Sequence, residues 1–156
     1  MLLQHIRSSF QKYLSCGGFD SAIVSQMQIT KAVKGHITCS VVLQKENMNF
    51  LGSAHGGWVA GVVDIAGSLS VASMGLDRTG VSTDINISYL AGAKEGDTLT
   101  IDAYCRKLGR TLAFTEVEIR SSEALMAIGR HTKYVPEKIR EQKIPLDELP
   151  TDETSS

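Results

Sequence analysis

One carboxylate interrupts the most apolar stretch of the chain. Asp64 is the only acid between His55 and Gly75, among Trp58, Val59, Val62, Val63, Ile65, Ala66, Leu69, Val71 and Ala72. An ionised carboxylate buried without partners costs several kcal/mol. A residue kept there at such a cost is a candidate for chemistry. A structural carboxylate, held by a backbone N–H or a lysine, is the alternative. Just before this stretch stands His55-Gly56-Gly57, at a loop-to-helix junction. The first N–H groups of a helix lack internal partners and carry partial positive charge. Glycine lets a substrate atom approach them. That arrangement suits a carbonyl oxygen gaining negative charge. An ordinary glycine-containing helix start would read the same way. Gly56 and Asp64 lie eight residues apart, about 12 Å along one helix. A carbonyl held at Gly56 would be too far from Asp64 of the same chain. A two-fold partner could bring its own Asp64 alongside.

These residues need a helix wrapped by other structure. His55 to about Gly75 is apolar or small nearly all round, which predicts a helix enclosed by the fold. Gly61 and Gly67 cost helix propensity there, so something should approach the backbone closely. Upstream, Leu3, Ile6, Phe10 and Leu14 have helical spacing, ended by Gly17-Gly18. Met27 to Val33 and His36 to Leu43 read as strands joined at Lys34-Gly35. Downstream, Val81 to Leu90, Leu99 to Lys107, Thr111 to Ile119 and Leu125 to Tyr134 read as strands at hairpin spacing. Val81, Ile85, Ile87 and Tyr89 are expected on one face of the first of these, with Ser82, Asp84, Asn86 and Ser88 on the other. An antiparallel meander should result. The fold class is thus α+β: about six antiparallel strands curled around one long helix, with a short N-terminal helix. One helix leaves the outer sheet face poorly covered, which favours dimerisation. Residues 1–135 form the single domain. Residues 136–156 are charged, hold Pro136 and two further prolines, and read as a solvated, disordered tail.

Composition narrows the function. The 156 residues are 42 % hydrophobic and 21 % charged, with a formal net charge of −1. No basic stripe with interleaved aromatics points to nucleic acid. Glycines, serines and Asp64 interrupt the apolar stretch too often for a membrane span. Cys16, Cys39 and Cys105 are dispersed and odd in number, which argues against a disulfide framework or a zinc site and for a reducing compartment. Residues 1–19 carry Arg7 and Lys12 and no acid. That composition would suit a mitochondrial targeting helix, but the structural reading as the first helix is preferred.

Four segments, in order, carry a resemblance: Asn49 to Gly57 with Asp64 beyond it, Val81 to Tyr89, Gly109 to Thr115, and Gly129 to Lys133. Together they resemble the hotdog-fold thioesterases of the acyl-coenzyme A thioesterase 13 type, over about residues 5–135. The resemblance implies hydrolysis of acyl-coenzyme A thioesters to a fatty or other carboxylic acid and coenzyme A, as in fatty acid metabolism. It implies that Asp64 activates or positions the attacking water, as base or as nucleophile, and that Ser82 helps hold that water. Asn49 and the Gly56 N–H would polarise the thioester carbonyl, with His55 beside it. Coenzyme A contacts would fall on Tyr89, Lys107 and Tyr134. Dimers pairing into homotetramers, sites at subunit interfaces, and no metal or cofactor are further implications. The family's N-terminal helix matches residues 2–15, which favours the cytoplasm, with mitochondrial association left open.

The sequence departs from the family at Gly92, where proline is common, at Trp58 and Ala54 in side-chain size, and in its longer C-terminal tail. Two other functions compete. A hotdog dehydratase would carry its histidine in a proline-rich loop, and none surrounds His55. A non-catalytic acyl-coenzyme A binder would not need Asp64, Asn49 and Ser82 together. Lys107 also reads as a solvated turn charge, Tyr134 as a strand end, and His131 as structural or functional alike. His5 and His36 read as surface residues. Trp58 is expected to shape the acyl pocket. Trp58→Leu should therefore shift the chain-length preference measured on a panel of acyl-coenzyme A thioesters, and an unchanged profile would exclude that role.

Overall fold

A computed structural model describes residues 2–145. Helix α1 spans Leu2–Ser15 and α2 spans Phe19–Val24. Strands β1 (Met27–Val33) and β2 (His36–Val42) follow, then the long helix α3 (Gly56–Ala72). Strands β3 (Val81–Tyr89), β4 (Thr98–Leu108), β5 (Leu112–Arg120) and β6 (Leu125–Tyr134) complete the sheet, and a short α4 covers Glu137–Arg140. The N-terminal segment forms the expected helix, with Ile6 and Phe10 buried on one face. Helix α2 was not expected, because six residues are too few to show a helical stripe.

All strand pairings are antiparallel, in the order β1-β2-β4-β5-β6-β3. This corrects the simple meander. β4, β5 and β6 follow one another, but β3 sits at the far edge beside β6, not beside β4. Helix α3 is the reason: it carries the chain under the sheet from the β2 side to the opposite edge. The concave face closes on α3, leaving Trp58, Val59, Val62, Val63, Ile65, Ala66, Leu69, Val71 and Ala72 buried.

Contact with α3 is as close as its glycines imply. A Cβ on Gly61 would stand 2.3 Å from Ile23 Cδ1, and one on Gly67 2.8 Å from Thr115 Oγ1. The sheet contributes its own glycine, Gly129 on β6, under Val63 of the helix.

The outer sheet face is polar, contrary to the expectation that it needs a cover. Arg106 pairs with Glu116 at 2.5 Å and Arg120 with Glu118 at 2.7 Å. Exposed apolar side chains include Val81, Ile85 and Tyr89 on the edge strand β3 and Leu90 beside it, as well as Phe19, Phe50 and Leu51. The first ten residues of the expected tail also differ. Residues 136–145 pack back on the domain, with Lys143 bridging Leu76 and the Ile144 N–H donating to Gly75 O at 2.8 Å. Residues 146–156 of that tail lie outside the described residues. Among the described residues no helix is long and apolar enough to cross a membrane.

Gly129→Ala should destabilise the fold. The new methyl would stand 2.5 and 2.6 Å from the two Val63 γ-carbons, and valine in a helix has little rotamer freedom to yield. Overpacking of this kind costs about 1–3 kcal/mol. A fall in Tm of roughly 5 °C in thermal denaturation is expected.

Candidate active site

The loop before α3 is folded on itself by its own hydrogen bonds. Asn47 is buried, and its backbone oxygen accepts the His55 N–H at 2.8 Å. Met48 bridges Ala54, and the Asn49 N–H donates to Ser53 O at 2.8 Å. Asn49 Oδ1 accepts from the N–H groups of Leu51 at 2.9 Å and Ser53 at 3.1 Å. Its oxygen is therefore engaged, and the Nδ2 group remains to donate outward. His55 is the N-cap of α3: its Nδ1 accepts from the Gly57 N–H at 2.9 Å. A neutral ring accepting at Nδ1 carries its proton on Nε2. Gly56, the first helical residue, keeps an N–H with no partner inside the helix. The Tyr89 hydroxyl donates to Gly56 O at 3.0 Å, with the Tyr89 ring packed against Gly56.

Two turns along α3 lies a second group. Asp64 Oδ1 has Ser82 Oγ at 3.5 Å and His131 Nε2 at 3.6 Å. His131 Nε2 and Ser82 Oγ are 2.8 Å apart. The His131 ring is fully buried, and its Nδ1 finds no partner. Which of His131 Nε2 and Ser82 Oγ donates depends on the imidazole tautomer. Burial, and then the charge of Lys133, push the His131 pKa down to about 4. Lys133 is itself buried, which lowers its pKa. It donates to Ser68 Oγ at 2.9 Å, and Ser68 donates to the backbone oxygen of Asp64 at 2.8 Å.

Asp64 is not buried in the single chain, as the sequence suggested. Its side chain is 45 % exposed, because the β3 edge beyond it has no neighbour. Ser82 likewise departs from the expected alternation. A bulge between Ser82 and Asp84 shifts the register, so Ser82 pairs with Lys133 and Ile85 with His131. Partners across a ladder share a face, so Ser82 stands with Ile85 on the side of α3 rather than with Asp84. A bulge re-aims a side chain in this way.

The single chain does not bring all candidate residues together. Asp64 and Ser82 form one group; His55, Gly56 and Tyr89 form another at the helix start, and Asn49 is held in the loop before it by Leu51 and Ser53. Lys107 and Tyr134, both exposed, lie at a common end of the sheet, where Lys107 pairs with Phe114 and Tyr134 with Leu112. Tyr89 lies at the other end of β3, seven residues from Ser82 or roughly 23 Å. Sequence reasoning missed Lys133 and Ser68, and left His131 undecided. The signal was in β6, where Ala127, Gly129, His131 and Lys133 alternate onto the buried face. Of the other histidines, His36 bonds Asp102 at 2.8 Å and stacks on Tyr104, and His5 buries its Nε2. Neither is a simple surface residue. Among the described residues no group of three or more His, Cys, Asp or Glu could hold a metal ion.

Known proteins share this arrangement. The sequence profile of the thioesterase superfamily matches residues 51–127. Human acyl-coenzyme A thioesterase 13 is 31 % identical over 136 residues, 86 % of this chain and 96 % of the relative. The chain belongs to the thioesterase superfamily. Zebrafish thioesterase superfamily member 2 superposes with a TM-score of 0.80 at 32 % identity, covering 86 % of this chain and 99 % of that one. A thioesterase protein from Streptococcus pneumoniae, crystallised with coenzyme A, superposes with a TM-score of 0.66 at 33 % identity, covering 70 % and 87 %. The hotdog fold and thioester hydrolysis as the class of reaction follow from this membership. The matched profile includes Gly56, Asp64 and Ser82 but ends before His131.

The buried histidine has a consequence for stability. Unfolded, His131 titrates near its ordinary 6.5; folded, near 4. Between these values the unfolded chain binds a proton that the folded chain refuses. The stability His131 contributes is therefore complete above pH 6.5 and is lost as the pH falls towards 4. His131→Gln should flatten the pH dependence of the urea midpoint in that window. A slope equal to wild type would show that His131 is not held neutral.

Proposed function

We propose that this protein hydrolyses acyl-coenzyme A thioesters at a site assembled from two copies of the chain. The observation that carries the reading is the Asp64–Ser82–His131 group, a carboxylate and a hydroxyl aligned by a buried neutral imidazole. A water held by Ser82 and Asp64 can lose its proton to the carboxylate as its oxygen attacks the thioester carbon. The carbonyl oxygen then becomes an oxyanion and needs donors. The Gly56 N–H and Asn49 Nδ2 are donors of that kind. Collapse of the tetrahedral intermediate breaks the C–S bond and releases coenzyme A and the free acid.

Separation within one chain supports a shared site. Gly56 and Asp64 are about 12 Å apart along α3. β3 is an edge strand of nine residues, and an exposed edge invites a second strand. Antiparallel pairing of two β3 edges about Ile85 would set Tyr89 and Gly56 of one chain near Ser82 and Asp64 of the partner subunit. It would also cover the half-exposed Asp64 and bring Tyr89 towards the partner subunit's Tyr134 and Lys107, where the coenzyme A moiety would lie. A dimer is the smallest complete unit on this reading, and a homotetramer would pair two of them.

Thiol release from short, long and aromatic acyl-coenzyme A thioesters tests the reading. Asp64→Ala and Asp64→Asn should each lose about 100-fold or more in kcat, with the oligomer intact by sedimentation. Undiminished turnover would remove Asp64 from the mechanism. Binding without turnover in the wild type would favour a non-catalytic binder. Co-expression of Asp64→Ala chains with Asn49→Ala chains tests the shared site. Random pairing leaves one intact site in half the dimers, so about a quarter of wild-type activity should return. No recovery would place both groups on one chain.

A further inference from the structure

The segment after Val135 serves neither the group around Asp64 nor the edge strand, yet it is tied firmly to the fold. Ile139 packs on the small core of Val71, Leu76, Ala113 and Val135, which Leu108 also joins. Lys143 and Ile144 reach the chain just beyond α3, at Leu76 and Gly75. Arg140 makes the remaining tie, and the backbone engages it. Its Nε donates to Val135 O at 3.2 Å, and a terminal nitrogen donates to Gly109 O. One guanidinium thus joins the end of β6 to the turn between β4 and β5.

That turn is short. Gly109, Arg110 and Thr111 connect the two strands, and the Gly109 N–H donates to Leu112 O at 2.7 Å. Thr111 O accepts the Val135 N–H at 2.7 Å. A hairpin tip has few contacts of its own and opens readily. Here the Gly109 and Thr111 carbonyls are both held by other segments. The side chains carried by the held turn are cations. Lys107 and Arg110 are exposed, and Lys107 lies along Gly109, where a Cβ would stand 3.9 Å from its Cε. Among the described residues neither cation is in an ion pair. A cavity of about 350 Å³ between the turn and α4 is lined by Arg110, Thr111, Glu137, Arg140 and Glu141. Its guanidiniums and carboxylates balance, so the cavity is no anion trap by itself.

We propose that Arg140 is a positioning residue for coenzyme A, fixing the β4–β5 turn so that Lys107 and Arg110 meet the phosphates of the nucleotide. This deepens the thioesterase reading and rests on it, since there the coenzyme A moiety lies towards Lys107 and Tyr134. A cation on a loose turn loses conformational freedom when it grips a phosphate. A cation on a turn already fixed loses less, and binds more tightly for it. The segment after Val135 is then part of the substrate site, acting through the turn rather than on the substrate.

The test is steady-state kinetics on one acyl group carried either by coenzyme A or by pantetheine, which has no phosphate. Arg140→Gln should raise KM for the coenzyme A thioester by about tenfold, with kcat within about twofold. KM for the pantetheine thioester should not move. Arg140→Lys keeps the charge but lacks the planar fork that spans two carbonyls, so it should behave like Arg140→Gln. Recovery of the wild-type KM with lysine would mean that charge alone matters and would overturn the proposal. In the double variant Lys107→Gln/Arg140→Gln the two effects should not add, because one acts through the other. Full additivity would overturn it as well. A KM raised equally for both thioesters, or a loss confined to kcat, would make Arg140 a general support of the fold and not of this site. Ile139→Ala, which loosens the segment and leaves the Arg140 bonds, should give a smaller rise of the same pattern and serves if Arg140→Gln fails to fold. Should the wild type hydrolyse no thioester, the thioesterase reading falls separately. Calorimetry with adenosine 3′,5′-bisphosphate then decides: weaker binding by Arg140→Gln supports the proposal, and equal or absent binding overturns it.

Discussion

The fit of α3 into the concave sheet is the constraint on which the rest of the structure depends. A helix apolar on all sides can exist in water only when wrapped, and here the sheet supplies the wrapping. The approach is close enough that glycine is needed on both partners: Gly61 and Gly67 on the helix, Gly129 on the sheet. Close packing fixes the helix rotation. With the rotation fixed, Asp64 points at the β3 edge and the helix start opens beside Tyr89.

The same close approach makes the polar group beneath Asp64 sustainable. His131 lies under Gly67, where a methyl would stand 2.9 Å from its Nδ1. Burial there disfavours the charged imidazole, which is hydrogen-bonded to Ser82. Lys133 reaches Ser68, and Ser68 returns to the backbone at Asp64. Two titratable side chains on one strand are thus buried at the level of the one carboxylate on the helix. Polar groups buried in company cost far less than polar groups buried alone.

The fold divides the chemistry between two ends of one edge strand. β3 carries Ser82 at its start and Tyr89 at its end, with Ile85 exposed between them. On the proposed reading a single chain holds two half-sites along this edge. The polar outer face of the sheet, with its ion pairs, does not compete as an association surface.

Much of this was written in local pattern. The buried helix, the glycine pair at its start, Asp64 two turns on and the six strands follow from periodicity and turn residues, because those report on neighbours a few positions away. The resemblance supplied roles for Asn49, Ser82 and the coenzyme A contacts, which no periodicity could. Tertiary structure alone decided the remainder. Strict alternation turned Ser82 away from the helix; the bulge after it turned it back, because a single extra residue reverses side-chain parity. The sheet order put β3 beside β6, since α3 had to emerge at the far edge. That pairing brought His131 and Lys133, 67 and 69 residues beyond Asp64 in the sequence, beneath the carboxylate. By itself the sequence determined which elements form and which residues could react. Long-range register determined which of them meet, because contacts between distant segments leave no period to read.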